Sequence, residues 1–311
     1  MSSRWPRIAA VRMPTRRRPP EWDDEGRHRR VRRILFWILW ANLLLVVVKI
    51  AVGWTIGSLS VLGDAAHSGT DALNNVVALT ALYFAAAPPD DKHPYGHGKF
   101  ETLGAFIIAG FLSVTCFELL RTAVTRLLEG APPPRPDLAA VLVLAATMLI
   151  NIAIAFYERR RGRELRSELL TADARHTQAD VLVTFSVLVG LGLVSLGWEQ
   201  ADSWLAVLVA ILVAHSGLQI LKRTVPVLVD QRAVDPDRVF NVASSVEGVE
   251  NVTEIRSRGR PGEAFAELTV RVNPATSVRR AHVIADEVER RVAAELRLTN
   301  VVVHVEPSEL H

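Results

Sequence analysis

The chain has 311 residues and a formal net charge of +3, and half of its residues are hydrophobic. The charge is unevenly spread, because the first 33 residues carry eleven arginines and four acids while the rest has 25 basic and 29 acidic residues. A single cysteine, Cys116, excludes a disulfide framework, an iron–sulfur cluster and a cysteine-based zinc finger. The apolar residues concentrate between a polar head and a polar tail, which argues against a soluble enzyme.

Residues 1–33 are predicted to form a disordered basic arm, since prolines interrupt the segment and no apolar period is present. Arginines next to a membrane fix topology and contact anionic lipid. The arm lacks interleaved aromatic residues and a nucleic-acid-binding fold, so no nucleic-acid partner is expected.

Six apolar stretches predict six membrane-spanning helices in a transmembrane domain at residues 34–230. A helix needs about 20 apolar residues to cross the hydrocarbon core of a bilayer. The stretches are residues 34–54, 59–86, 103–128, 138–156, 181–196 and 204–221. Lys and Arg concentrate in the arm and after the second, fourth and sixth stretches, so both termini are expected in the cytoplasm.

Residues 231–311 are predicted to form a small cytoplasmic α+β domain. Asp235 before Pro236 is typical of a helix start, and the apolar patterns that follow predict the order α-β-β-α-β. The five elements are expected at residues 235–246, 252–257, 264–272, 281–296 and 301–305. The predicted fold class is therefore an α-helical membrane protein with a C-terminal α+β domain.

Two of the apolar stretches carry the same polar pattern, His-x-x-x-Asp. His67 and Asp71 lie in the second stretch, and His176 and Asp180 lead into the fifth. Residues four apart share one face of a helix, so each helix presents an imidazole and a carboxylate to the same side. Ionisable groups in a membrane span cost roughly 2.5–3.5 kcal/mol each and persist where they face a partner. The duplicate pattern therefore predicts a four-ligand metal site whose donors suit tetrahedral Zn²⁺.

Other polar residues are expected beside this site. Asn74, Asn75 and Asp173 are interpreted as lining the same cavity rather than as ligands. A hydrogen-bonded His–Asp pair on each helix is the alternative interpretation of the pattern. An intramembrane hydrolase is disfavoured, because four protein ligands leave no place for a metal-bound water and the chain has no His-Glu-x-x-His.

A second group of candidate ligands follows the second stretch. Asp90, His93 and His97 lie close together in the sequence, beside further acids. Two imidazoles four residues apart next to carboxylates can hold a metal ion at the cytoplasmic surface. A solvated polar loop without a metal is the alternative.

These residues together resemble the cation diffusion facilitator family, on its zinc-type branch. The resemblance rests on the doubled His-x-x-x-Asp pair, the run His-Pro-Tyr-Gly-His-Gly-Lys and the α-β-β-α-β tail, over residues 34–306. It implies a homodimeric secondary transporter of the bacterial inner membrane that exports Zn²⁺ in exchange for protons and uses no organic cofactor. The implied transport site is His67, Asp71, His176 and Asp180, and the implied loop site is Asp90, His93 and His97.

The resemblance also implies roles outside these two sites. Lys99 and Asp230 match a charge pair that interlocks the membrane helices at the dimer interface. Three residues of the tail stand where relatives bind metal: His282, His304 and Glu306. Two further histidine positions of those relatives are Thr253 and Thr269 here, and hydroxyls are poor Zn²⁺ ligands, so a weaker site or none is expected.

Several alternatives stay open at this point. The same donor set suits Fe²⁺, Co²⁺ or Cd²⁺. A metal-responsive membrane scaffold would bind ions without carrying them across. Arg175, beside His176, replaces an apolar gating residue of some relatives, so the resemblance implies a different closure of the inner gate.

Overall fold

The computed structural model describes residues 24–56, 59–129, 138–198, 200–260 and 263–308. Within these residues the chain forms six long helices followed by a small domain with a three-stranded sheet. The long helices are α1 (Asp24–Ile56), α2 (Leu59–Ala85), α3 (Lys99–Glu129), α4 (Leu138–Glu164), α5 (Glu168–Ser195) and α6 (Ala201–Leu228). The C-terminal elements are α7 (Pro236–Ser244), β1 (Asn251–Arg260), β2 (Glu263–Val272), α8 (Val278–Leu296) and β3 (Asn300–Pro307). The predicted fold class is confirmed.

The six long helices form a membrane bundle. Five of them in the described part of the chain, all but α2, are long and apolar enough to cross a bilayer. α2 has 27 residues, which at 1.5 Å per residue gives a length of about 40 Å. Large apolar side chains are exposed on the outside of the bundle, among them Trp37, Leu44, Phe117 and Leu149. Such a surface is typical of contact with lipid.

Helix α1 begins at Asp24, well before the predicted start at residue 34. Val31, Leu35 and Ile38 are buried at helical spacing, so the inward apolar face continues into the arginine-rich segment. Residues 24–33 of the predicted disordered arm are therefore helical, and the prediction for residues 1–23 lies outside the described residues.

Helix α5 also begins earlier than its apolar stretch. Ser167 caps it, since its side chain accepts a hydrogen bond from the Leu170 backbone N–H. The polar first half of α5 is helical because its charged residues face the interior of the bundle rather than lipid. These buried residues are Asp173, His176 and Asp180.

Three helices meet closely at Gly104 in α3. A Cβ atom at this position would lie 2.5 Å from Ala81 Cβ in α2 and 3.0 Å from Leu169 Cδ1 in α5. No larger residue fits here without moving a neighbouring helix. Over the bundle as a whole, α3 packs most extensively against α6, α1 against α2 and α4 against α5.

The C-terminal domain packs its two helices on a sheet of order β1-β2-β3. β1 and β2 are antiparallel, and β2 and β3 are parallel. Val239 of α7, Val270 of β2 and Val288 of α8 are fully buried between the layers. Asp235 caps α7 as predicted, because its side chain accepts from the Asp237 backbone N–H.

A buried ion cluster joins this domain to the bundle. Glu101 in α3 is fully buried and accepts from Arg27 Nη2 of α1 at 2.9 and 3.0 Å. Arg260 Nη1 of β1 donates to the same carboxylate at 2.8 Å, and Ser167 Oγ donates at 2.6 Å. One carboxylate thus ties together α1, α3, the start of α5 and the C-terminal domain.

Candidate functional site

Asp71 of α2 and His176 and Asp180 of α5 form a cluster inside the bundle. One ligand-capable atom from each lies within 4.8 Å of the other two. His176 Nε2 lies 3.3 Å from Asp71 Oδ1 and 3.7 Å from Asp180 Oδ2. His176 and Asp180 are buried, and Asp71 is partly buried. The structure therefore brings together three of the four predicted transport-site residues.

The fourth predicted ligand, His67, lies on α2, but its side chain is outside the described residues. The backbone of α2 is helical through both His67 and Asp71. Since the two residues are four apart, they share one face of α2.

The geometry of the cluster fits a small tetrahedral ion. Two ligand atoms at about 2.1 Å from such an ion lie roughly 3.4 Å apart. The two separations around His176 Nε2, 3.3 and 3.7 Å, lie on either side of that value. The side-chain amide of Asn74 lies 2.6 Å from the same nitrogen, and a bound ion would replace this contact, since the nitrogen has one lone pair. Within the described residues, His176 Nδ1 has no hydrogen-bond partner.

A chain of polar side chains runs from the cluster toward the end of the bundle that carries the C-terminal domain. Asn75 Nδ2 donates to both carboxylate oxygens of Asp173, at 3.3 and 3.0 Å. Asn42 Nδ2 of α1 donates to Asn75 Oδ1 at 2.8 Å. These contacts place Asn75 and Asp173, which the sequence assigned to the cavity, beside the cluster.

Sequence reasoning missed Glu158 of α4, which is fully buried next to Asp173. It lies beyond the apolar stretch that ends at residue 156, and arginines follow it. Its spacing from two small residues could have indicated its burial. Ala155, Glu158 and Gly162 are three and four residues apart, so they share one face of α4, and all three are buried. Small residues on both sides of an acid mark an inward-facing position.

A buried lysine in α1 was also missed. Lys49 is 3% exposed, and its Nζ donates to Ser68 Oγ of α2 at 2.7 Å. Ser68 directly follows His67, so this hydrogen bond ties α1 to the part of α2 that carries the predicted ligands.

The loop between α2 and α3 brings its three predicted ligands together. Ligand-capable atoms of Asp90, His93 and His97 all lie within 4.8 Å of one another. His93 Nδ1 is 3.2 Å from Asp90 Oδ1, and His97 Nε2 is 3.5 Å from Asp90 Oδ2. The backbone N–H of His93 donates to Asp90 Oδ1 and is the largest cause of the lowered pKa of Asp90.

The two histidines of the loop differ in how firmly they are held. His97 is mostly buried and stacks on Phe100. Its Nδ1–H donates to the Pro88 carbonyl at 3.1 Å, which leaves the Nε2 lone pair directed to Asp90. His93 is more exposed, and its ring centroid lies 4.3 Å from that of His97.

The structure does not gather the predicted ligands of the C-terminal domain. His282 and His304 have side chains 77% and 70% exposed. His304 Nε2 lies 3.7 Å from Glu306, whereas His282 lies 3.8 Å from Asp286. The described residues of this domain hold no group of three close ligand atoms.

The two threonines share one row of the sheet with His304. Thr269 of β2 is paired with Thr253 of β1 on one side and with His304 of β3 on the other. Imidazoles are therefore missing at the positions that would extend His304 into a larger set of ligands.

Two further predicted residues make contacts between helices. Lys99 Nζ, at the start of α3, lies 2.7 Å from Asp230 Oδ1, just past the end of α6, within one chain. Arg175 Nη1 donates to Gln219 Oε1 of α6 at 2.5 Å. The position next to His176 therefore makes a polar contact between α5 and α6.

Comparison with known proteins agrees with this architecture. Residues 35–229 match the family model for the cation efflux transmembrane domain, and residues 232–308 match that for the cytoplasmic domain of cation efflux proteins. The cation-efflux pump FieF of Citrobacter koseri is 28% identical over 266 residues, which cover 85% of this chain and 88% of the relative. FieF of Escherichia coli strain K12 / DH10B is 27% identical with the same coverage.

Among solved structures, two of the MamM C-terminal domain are similar to the tail. They are 28% and 29% identical, cover 24% of this chain and 94% of their own, and have a TM-score of 0.23; one is a cadmium form. The transmembrane family model alone matches more than half of the chain. The chain therefore belongs to the cation diffusion facilitator family and is an efflux transporter of divalent cations.

Proposed function

We propose that the protein exports Zn²⁺ from the cytoplasm in exchange for protons, as a homodimer in the inner membrane. The observation that carries this proposal is the buried cluster of Asp71, His176 and Asp180 between two membrane helices. Groups of this kind are retained in a bilayer where they bind a cation or line its path.

The donor set favours zinc among the divalent cations. One imidazole nitrogen and two carboxylate oxygens suit a borderline-soft ion, and the separations fit tetrahedral coordination. His67, if it completes the set, adds a second nitrogen. An all-oxygen site would favour Mn²⁺ or Mg²⁺, whereas Fe²⁺, Co²⁺ and Cd²⁺ share the preference for mixed donors.

Proton exchange follows from the chemistry of the imidazole. A metal ion binds only deprotonated ligands, so Zn²⁺ and protons compete for His176. A site that is open to the cytoplasm takes up the metal and releases protons. When the site opens to the other side, protons displace the metal, and the proton gradient drives the cycle.

The packing of the helices supports alternating access. α2 and α5 supply the ligands, while α3 and α6 pack against each other more extensively than any other pair. Rocking of the ligand-bearing helices against this pair would open the site to one side at a time. The hydrogen bond from Arg175 to Gln219 joins α5 to α6 and is a candidate contact of the closed inner gate.

The loop and the C-terminal domain have supporting roles in this proposal. The cluster of Asp90, His93 and His97 would collect ions at the cytoplasmic mouth. His93 lines a cavity together with Arg260 of the C-terminal domain. The family model matched by the tail carries the name ZT_dimer, which supports a homodimer. The pair of Lys99 and Asp230 would hold the helices that meet the second copy.

Proteoliposomes test the proposal directly. Zinc uptake into vesicles should accelerate when the pH gradient opposes the zinc flux, and Asp180→Ala should abolish uptake while the protein stays folded. Glu164→Gln is the control, because Glu164 is exposed at the end of α4, where it pairs with Arg160 and Arg161. Parallel assays with Fe²⁺, Co²⁺, Cd²⁺ and Mn²⁺ define selectivity.

Two outcomes would contradict the proposal. Zinc flux that does not respond to the pH gradient would rule out proton coupling. Stoichiometric zinc binding without uptake would identify a metal-responsive scaffold instead of a transporter.

A further inference from the structure

A second pair of buried carboxyl groups lies beside the metal cluster, on the side of the C-terminal domain. Glu158 of α4 is 0% exposed and Asp173 of α5 is 1% exposed. Their side chains are within hydrogen-bonding range of each other. Neither residue belongs to the predicted set of metal ligands.

The hydrogen bonds around this pair leave one oxygen without a donor. Thr177 Oγ1 donates to Glu158 Oε2 at 3.1 Å, and Asn75 Nδ2 donates to both oxygens of Asp173. Glu158 Oε1 is buried and receives no hydrogen bond from the described residues. No arginine or lysine in the described part of the chain pairs with either carboxyl.

The charged groups that face the pair are two carboxylates and one imidazole, and of these the imidazole alone carries positive charge when it is protonated. On α5 these groups are Asp180 and His176, and on α2 the group is Asp71. From α1, the neutral amide of Asn42 reaches the pair through Asn75. Two ionised carboxylates in contact in a buried site repel each other strongly, so one of them holds a proton.

We propose that Glu158 and Asp173 share one proton, bound through Glu158 Oε1, and that this proton leaves when a divalent cation occupies the cluster of Asp71, His176 and Asp180. A proton on Glu158 Oε1 supplies the missing donor and makes a hydrogen bond to Asp173. Both carboxyls then have all the partners that a buried polar group needs.

The pair and the cluster are coupled through α5. Asp173 precedes His176 by one helical turn, and Thr177, which bonds Glu158, directly follows His176. A divalent cation in the cluster brings two positive charges to this buried region and stabilises the second carboxylate. The O–H bond then breaks, the proton passes to water, and both carboxyls are ionised. The coupling is reciprocal, so return of the proton weakens metal binding.

This inference rests on the proposed proton-coupled export, and calorimetry on the purified full-length protein separates the two. Zinc titrations in buffers of different ionisation enthalpy give the number of protons released per bound ion. Glu158→Gln should bind zinc but release about one proton fewer per ion than the wild type. Glutamine keeps the size of the side chain, and its amide replaces the proton as a permanent donor to Asp173. Glu164→Gln, on the exposed face of the same helix, should match the wild type.

Infrared spectroscopy detects the shared proton directly. Metal-free wild type should show the carbonyl-stretch band of a protonated carboxylic acid, which disappears when zinc is added. The band should be absent in Glu158→Gln. If that variant does not fold, the zinc-induced difference spectrum of the wild type and of Asp173→Asn decides the question.

The outcomes distinguish the shared proton from proton-coupled export. Zinc binding to the wild type without proton release would defeat proton-coupled export. Two results would overturn the shared proton and leave the export mechanism in place. One is that Glu158→Gln releases as many protons per zinc ion as the wild type. The other is that zinc does not alter the carboxylic-acid band of the wild type.

Discussion

Arg260, in β1 of the C-terminal domain, donates from Nη1 to Glu101 Oε2 of α3 across 2.8 Å. Arg27 of α1 donates to the same carboxylate from the opposite terminus of the chain. The carboxylate is completely buried, so it requires these partners. Desolvation works against the charge of Arg260, yet its pKa is raised because Glu101 and Glu263 lie beside it. The C-terminal domain and the bundle therefore share one charged centre.

Removing Glu101 should destabilise the protein more than removing either arginine. Glu101→Ala leaves two guanidinium groups facing each other without their carboxylate, which costs about 3–5 kcal/mol. Arg260→Ala should cost less, because Arg27 and Ser167 still satisfy Glu101. Thermal unfolding in detergent measures both. Arg290→Ala, on the exposed face of α8, is the control and should change stability by less than about 0.5 kcal/mol. Equal losses for Glu101→Ala and Arg260→Ala would contradict the prediction.

Metal binding at the loop should depend on the carboxylate of Asp90. Its pKa is lowered, chiefly by the hydrogen bond from the His93 backbone N–H, so the group stays charged until the pH falls below its usual value of 3.8. Asp90→Asn should therefore reduce the affinity for zinc at every pH above that value, because a charged ligand is lost. Calorimetry at several pH values, in a protein that carries Asp180→Ala, isolates the loop.

His93→Ala in the same background supplies the matched comparison. It should also reduce the affinity for zinc, because it removes one imidazole ligand. Zinc affinity that is unchanged in both variants would show that these residues do not bind the ion.

The histidines of the C-terminal domain should contribute nothing to zinc stoichiometry. His282→Ala combined with His304→Ala removes two exposed imidazoles that belong to no close group of three ligand atoms in the described residues. The number of zinc ions retained after dialysis, measured by atomic absorption, should equal that of the wild type. Loss of one ion per chain would mean that these histidines meet in the dimer.

Local patterns in the sequence predicted most of the architecture. Apolar length is enough to place the six long helices, and alternation and helical spacing are enough for the order α-β-β-α-β. The spacing of His176 and Asp180 predicts their common face, since it depends only on the helical repeat. The position of Asp71 beside them could be inferred only from the repeated His-x-x-x-Asp pattern, because no local pattern indicates which helices face each other.

Local sequence patterns could not predict contacts between segments that are distant in the sequence. Arg27, Glu101 and Arg260 are separated by long stretches of chain, and each alone is typical of a solvated surface. Glu158 was hidden for a similar reason, because the arginines after it suggested the end of a membrane span. The early start of α1 was missed because arginines outnumber the few apolar residues that form its buried face.

The close approach at Gly104 limits how the bundle can move. Ala81 and Leu169 pack directly against Gly104, so α2 and α5 cannot move closer to α3 at this position. In the proposed transport cycle, α2 and α5 would therefore tilt about this point. Displacements at the two membrane faces would then be opposite in sign, so that widening of the bundle on one face would narrow it on the other.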